Sequence, residues 1–313
     1  MLFGIQDCIL IPTADTVLPH CQDRAARMDL HLKGQHLAVD RPLLMGVVNV
    51  TPDSFSDGGQ FHDPERAIEH ALRLVAEGAD LLDIGAESTR PGARPVDALE
   101  ERRRLIPVVA AVAKAVSVPI SVDTSKAEIA RAAIDEGAAM INDVTALCGD
   151  AAMVDVVAET RAGLVLMHMQ GTPETMQQGP HYDDVVGDVA AFLMKRARFA
   201  MDHGIAKERI VLDPGIGFGK TLTHNLELLA HLQTFIELGF PLLVGPSRKG
   251  FIGELTHQSV GERGWGTAGV IALAVAQGTN ILRVHDVRPM KDVADVAMAI
   301  VRRMSVGLRV QHA

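Results

Sequence analysis

Residues 42–50 read PLLMGVVNV, and residues 51–59 that follow read TPDSFSDGG. An apolar, β-branched run of this length, ending in Asn49 and a turn rich in Pro, Ser and Gly, predicts a buried parallel strand followed by a loop. An open nucleotide-binding sheet would carry G-x-G-x-x-G in the turn after its first strand, and this turn has none. The strand points to a different parallel design.

The same unit recurs at 79–86 (ADLLDIGA), 119–124 (PISVDT), 140–144 (MINDV), 163–168 (GLVLMH), 210–215 (IVLDPG), 241–247 (PLLVGPS) and 281–286 (ILRVHD). Helical periodicity lies between the runs. Ala67, Ile68, Ala71, Leu72 and Val75 share one predicted face, and Val293, Val296, Ala297, Ile300 and Val301 share another in the last helix. Eight strand–helix units in ~270 residues fit an α/β fold of the (β/α)8 TIM-barrel type, typically ~250 residues long. Residues 31–41 (HLKGQHLAVDR) alternate weakly around Gly34 and predict a small β-hairpin closing the bottom of the barrel. Residues 1–30 read as an N-terminal tail and 31–313 as one catalytic domain.

Composition agrees with a repetitive α/β core. The chain has 313 residues, 48% of them hydrophobic but only 4% aromatic, so Ala, Val, Leu and Ile must fill the interior. Thirty Lys and Arg face 39 Asp and Glu, a net charge of −9, and the longest basic run is Arg102 to Arg104. A nucleic-acid partner is not expected. Cys8, Cys21 and Cys148 form no C-x-x-C pair, which suits a reducing, cytoplasmic setting. No stretch approaches the ~20 uncharged apolar residues of a membrane span.

Polar residues gather at the strand ends: Asn49, Asp83, Asp123, Asn142 with Asp143, His168, Asp213, Ser247-Arg248-Lys249, and Arg283 with His285, with Glu87-Ser88-Thr89-Arg90 beyond the second strand. Each follows an apolar run, where an unpaired polar group costs roughly 2–7 kcal/mol to bury. One Asp or Asn after a strand often caps the next helix, and Asp83 alone permits that reading. A polar residue at every strand end points instead to a shared site at the C-terminal mouth. Arg90, Lys249, Arg283 and His285 are expected to gather positive charge and donors on one side of it, which suits phosphate. Asp123, Asn142 and Asp213 offer recessed groups for the N–H edge of a flat nitrogen heterocycle.

Two motifs fail on inspection. In Pro214-Gly-Ile-Gly-Phe-Gly-Lys-Thr221 the first glycine of a phosphate-binding P-loop is replaced by Pro214. His168 has no second ligand at i+4, so no zinc site is indicated and a packed, locally hydrogen-bonded histidine is expected. Met167 and Met169 read as pocket lining or core.

The motifs as a set resemble the dihydropteroate synthases, a pterin-binding TIM-barrel family. Residues 45–59 (MGVVNVTPDSFSDGG) are similar to its first signature and 83–92 (DIGAESTRPG) to its second. SVDT at 121–124, INDV at 141–144, LDPGIGFGK at 212–220, SRK at 247–249 and RVHD at 283–286 follow in the family's order, and the resemblance spans about residues 30–303. It implies a transferase of folate biosynthesis that condenses 6-hydroxymethyl-7,8-dihydropterin diphosphate with p-aminobenzoate, giving 7,8-dihydropteroate and diphosphate. It also implies Mg²⁺, a homodimer and sulfonamide targeting.

By the same resemblance Asp123, Asn142, Met167, Asp213, Phe218 and Lys249 would hold the pterin. Asn49, Thr89, Arg283 and His285 would bind the diphosphate, Asn49 through the metal. Phe55, Thr89, Arg90, Pro91, Phe218, Ser247 and Gly250 would form the p-aminobenzoate pocket, assembled as the loops after the first two strands close. Asp123, Lys249, Arg283 and His285 would be catalytic. Gly250 departs from the family, where Ser is common, and the N–H groups at the start of the following helix are expected to take its place at the p-aminobenzoate carboxylate. A methyltetrahydrofolate:corrinoid methyltransferase on the same barrel, or a non-catalytic pterin-binding homologue, are the rival readings. The cationic cluster and the 51–59 loop speak against the first, and the filled motifs against the second.

Overall fold

The computed structural model describes residues 28–50 and 64–310. The residues before Met28 and the segment 51–63, which carries Phe55 and most of the first signature, lie outside the described residues.

A hairpin comes first, with β1 at Met28–Leu32 and β2 at Gln35–Val39, paired antiparallel. It begins three residues before the span expected for it, inside the predicted tail. Eight parallel strands follow among the described residues: β3 (Leu43–Asn49), β4 (Leu81–Gly85), β5 (Ile120–Asp123), β6 (Met140–Asp143), β7 (Gly163–Met167), β8 (Ile210–Asp213), β9 (Leu243–Val244) and β10 (Ile281–Val284). Each of the eight expected runs holds one. Neighbours pair in order from β3 to β8, and β10 joins β3 to β9. The Leu212 N–H donates to the Pro241 carbonyl at 2.9 Å and Leu212 bridges Leu242, which closes the ring between β8 and β9. β9 keeps only two of its seven expected residues because Pro241 and Pro246 have no N–H for a ladder.

Alternation along the strands sorts the residues into layers. Leu44, Leu82, Ile84, Val122, Ile141, Leu164, Leu212 and Leu282 face outward and form one apolar cluster with the helices. Met45, Leu81, Met140, Val165, Val211, Leu243 and Ile281 fill the barrel with Leu30, Leu32 and Val39 of the hairpin, which therefore plugs the bottom. Two residues further along each inward row the side chains turn polar or meet the mouth: Asp83 above Leu81, Asn142 above Met140, Asp213 above Val211, Arg283 above Ile281.

The helices cover the outside. In α1 (Pro64–Ala76) Ala67, Ala71 and Leu74 are buried, while Leu72, expected on that face, is 39% exposed. In the last helix, α10 (Val287–Val310), Val287, Met290 and Ala294 meet the core, and Val296 and Ile300 point outward, contrary to the predicted face. Val293 and Ala297 of the predicted face do pack against the core, so the stripe read from periodicity is in contact on one edge and turned to solvent on the other. Among the described residues no helix is long and apolar enough to cross a membrane.

Candidate active site

Register places the polar residues side by side. Asp123 lies opposite Gly85 on one neighbour and Asn142 on the other, and Met167 lies opposite Asp213. The Arg283 guanidinium reaches into this ring, donating from Nε to Asp83 at 2.7 Å and from Nη2 to Asp123 at 3.1 Å. The Asn142 amide donates to the same Asp83 oxygen at 2.9 Å. Asp83 is thus no helix cap: it is fully buried and ties Arg283 to Asn142. The Oδ1 atoms of Asp83 and Asn142 and the Ser121 hydroxyl are buried with no partner among the described residues, an opening for polar groups of a ligand.

Asp213 is buried at the end of β8, where its carboxylate accepts the Gly215 N–H at 2.7 Å. Burial pushes its pKa up to about 6, opposed by that hydrogen bond and by the charges of Lys249, Arg283 and Lys220. Burial also raises Asp123, as does its neighbour Asp83, against the pull of Arg283. Lys249, half-buried, is pushed down to about 8 by desolvation and by Arg283. Its ammonium sits 4.0 Å from the centre of the Phe218 ring, a cation–π contact. Phe218, Met167, Val144 and Met176 form a small apolar cluster beside the polar ring.

His285 is half-buried, and its Nδ1 lies 3.0 Å from the Ser247 hydroxyl, which also accepts the His285 N–H at 3.2 Å. Burial and then the charges of Arg283, Arg248 and Lys249 hold its pKa down to about 3, so the imidazole is neutral. It enters the cluster as a hydrogen-bonding group beside the cations Arg283 and Lys249. Ser247 is buried against it. Arg248 turns aside and forms a bidentate ion pair with Asp286 at 3.0 and 2.5 Å.

Asn49 ends β3 beside Gly85. Thr89 is half-buried, and Arg90 and Pro91 are exposed on the loop after β4. Gly250 opens α8 (Gly250–Thr256) as expected, exposed at the end of a helix of only seven residues. Asp143 keeps the bland reading: it faces away from the ring, and its carboxylate accepts the N–H groups of Thr145 and Leu147, each at 2.8 Å. His168 is packed, as expected, edge-on to Phe192 at 4.9 Å.

Lys220 was missed. It is 3% exposed, and its ammonium lies 3.0 Å from His168 Nδ1 and 2.9 Å from the Phe218 carbonyl. Its sequence signals were the Gly-Lys of 219–220 in the broken P-loop and its place at the end of the LDPGIGFGK motif, neither of which gave it a role. The assembled mouth holds carboxylates and an amide beneath two cations, over an apolar floor. Such a set can grip a flat, hydrogen-bonding ring and stabilise a departing anion.

The sequence profile of the family described as "Pterin binding enzyme" matches residues 45–285. The dihydropteroate synthase of Escherichia coli (strain K12) is 47% identical over 261 residues, which cover 83% of this chain and 92% of that protein. Two solved structures of Xanthomonas albilineans dihydropteroate synthase are similar. The one with 4-aminobenzoic acid has TM-score 0.83 and 49% identity, covering 88% of this chain and 98% of that one. The one in complex with 7,8-dihydropteroate has TM-score 0.79 and 47% identity, covering 87% and 98%.

Proposed function

The chain belongs to the pterin-binding enzymes and, within them, to the dihydropteroate synthases, and on that premise we propose how its own residues divide the work. The reaction joins 6-hydroxymethyl-7,8-dihydropterin diphosphate to p-aminobenzoate and yields 7,8-dihydropteroate and diphosphate. The observation that carries the proposal is the convergence of Asp123, Asn142 and Asp213 with Arg283 and Lys249 at one barrel mouth.

Asp213 and Asn142 take the amino-pyrimidine edge of the pterin, Asn142 through an amide oxygen that has no partner among the described residues. Met167 and Phe218 pack on the ring, and Lys249 donates to its carbonyl side. Arg283, His285 and Thr89 receive the diphosphate, His285 through a neutral N–H. Phe218, Arg90, Pro91 and Gly250 border the p-aminobenzoate, with Phe55 from the 51–63 segment; Ser247 supports His285 instead.

As the C–O bond to diphosphate breaks, the leaving group keeps the electron pair and positive charge spreads over the electron-rich dihydropterin. Asp123 stabilises that charge, and Arg283, already between Asp83 and Asp123, stabilises the anion. The neutral aniline nitrogen then forms the new C–N bond and loses one proton to solvent. No strong base is required. Asn49 has no side-chain hydrogen bond among the described residues, and Mg²⁺ takes most of its shell from water and phosphate oxygens. Its amide oxygen would hold the metal, which would neutralise diphosphate charge.

The homodimer expected from the sequence has support in Trp265 and Leu273 of α9 (Gly264–Gln277) and Val296 and Ile300 of α10, apolar side chains 56–90% exposed on two packed helices. A cytoplasmic location suits a charged diphosphate ester, which does not cross a bilayer unaided.

Diphosphate release with both substrates, with each alone, and with and without Mg²⁺ tests the reading. Release should need both substrates, and Asp123→Ala should fold and fail to turn over. An Asp123→Ala enzyme near the wild-type rate would remove Asp123 from its role.

A further inference from the structure

Lys220 has an environment that the division of roles above leaves unexplained. It lies between β8 and α6 (Leu222–Ala230), and its ammonium is almost wholly shut from water. Among the described residues no carboxylate lies within ion-pair distance of it. Its partners are neutral: the Phe218 carbonyl at 2.9 Å, His168 Nδ1 at 3.0 Å and the His168 carbonyl at 3.4 Å. An ammonium has three N–H donors and no acceptor, so all three contacts can be donated bonds with His168 in its Nε2–H tautomer.

These contacts shape the loop 214–219. A Cβ on Gly215 would lie 1.9 Å from the His168 carbonyl and one on Gly219 2.4 Å from that of Gln170, so the loop presses on the end of β7. Tyr182, packed on the His168 ring, donates its hydroxyl to the Gly219 carbonyl at 2.7 Å. Lys220 takes the neighbouring carbonyl, that of Phe218. The ring of Phe218 is left beneath Lys249, and Asp213 stands at the loop's root, its own carbonyl accepting the His168 N–H at 3.0 Å.

We infer that Lys220 is a positioning residue: held by His168 and the Phe218 carbonyl, it fixes the loop that presents Phe218 to the pterin and the strand end that carries Asp213. This rests on the reading of the site given above. A neutral donor could hold the loop, but only a cation also favours the Asp213 carboxylate. Lys220 is one of the charges lowering Asp213 against its burial. Burial and Lys249 push Lys220 itself down to about 7, against the pull of Asp213. The charged or titratable groups around the pair are Lys249 and Arg283, both acting on Asp213, with His168, kept neutral by burial and by Lys220, and Tyr182.

The test compares wild type, Lys220→Met, Lys220→Gln and Lys220→Arg in the diphosphate-release assay from pH 5.5 to 8.5, with melting curves for each. Lys220→Met should fold, raise the KM for the pterin substrate by about tenfold or more at pH 7, and change the KM for p-aminobenzoate less. The acid limb of kcat/KM for the pterin should move to higher pH in Lys220→Met and Lys220→Gln, and Lys220→Arg should return it. A Lys220→Met enzyme with an unmoved acid limb and a pterin KM within about twofold of wild type overturns the inference. So does loss of the fold in both neutral variants, since Lys220 is then structural. Absence of wild-type turnover would sink the functional reading itself, whereas wild-type turnover matched by Lys220→Met sinks only this inference.

Discussion

Arg283 donates to Asp123 at 3.1 Å, so the cation assigned to the departing anion and the carboxylate assigned to the developing cation form one ion pair. On the roles proposed above, a bound diphosphate would give Arg283 a second anion to serve and leave Asp123 to face the ring.

Asp83 holds that pair in place, and its removal should be costly. Breaking a buried ion pair by removing one partner typically loses about 3–5 kcal/mol, because the other charge is left buried. Asp123 still contacts Arg283, so Asp83→Ala should fall at the lower end, about 3 kcal/mol. The Asn142 amide loses its acceptor as well. Denaturant melts should show the loss together with a higher KM for the pterin substrate. Unchanged stability would mean that Asp83 contributes nothing to holding Arg283.

Asp213 predicts a trade of stability for binding. Its folded pKa, about 6, lies above the ordinary 3.8, so its ionised form disfavours the fold. The sign follows from linkage: this penalty is full above pH 6 and is released as pH falls from about 6 toward 4. Asp213→Asn should therefore be more stable than wild type at pH 7 by about 2–3 kcal/mol, with the gain shrinking toward pH 4, while pterin binding is lost. Paired melts at pH 7 and pH 4.5 check it. A variant less stable at pH 7 than wild type would contradict the assignment.

The eight strands and the mouth residues were legible because short β-branched runs ending in polar groups survive any helix packing. Register was not. Asp83 and Asp143 look alike in sequence, yet one points into the barrel and holds Arg283 while the other points outward and caps a turn. A shift of one residue decides between them, and only the paired sheet fixes it. The outer face of α10 misled for a related reason, since Val296 and Ile300 continue an apolar stripe beyond what the core uses. Lys220 was hidden in a loop whose glycines at 215, 217 and 219 all have positive φ, a shape that leaves no periodicity to read.

His285 should behave as a neutral group in the free enzyme. With its pKa held near 3, its imidazole resonances should stay flat from pH 5 to 8, when followed by NMR in selectively labelled protein. Added diphosphate should move them, because a bound anion offsets the nearby charges of Arg283, Arg248 and Lys249. Titration near pH 6.5 in the free enzyme would show that the surrounding cations do not control it.

Two glycines at the mouth should respond in opposite ways. At Gly215, φ is +68° and a Cβ would lie 1.9 Å from the His168 carbonyl, a backbone atom that cannot swing aside. Gly215→Ala therefore adds left-handed strain to a direct clash, and relief requires the loop to leave β7, taking Phe218 and the Asp213 hydrogen bond with it. A loss of about 3 kcal/mol or more is expected, with activity falling in step. Gly250 has ordinary φ and nothing within 4 Å of a built Cβ. Gly250→Ser should change stability by no more than about 0.5 kcal/mol. Its hydroxyl adds one donor beside the p-aminobenzoate, so the KM for that substrate should fall by about tenfold at most, the value of one good hydrogen bond. A drop of a hundredfold or more would mean that the N–H groups at the start of α8 contribute little to holding the carboxylate and that the wild-type pocket lacks its main anchor. Melting curves and the two KM values, measured on both variants, decide between these outcomes.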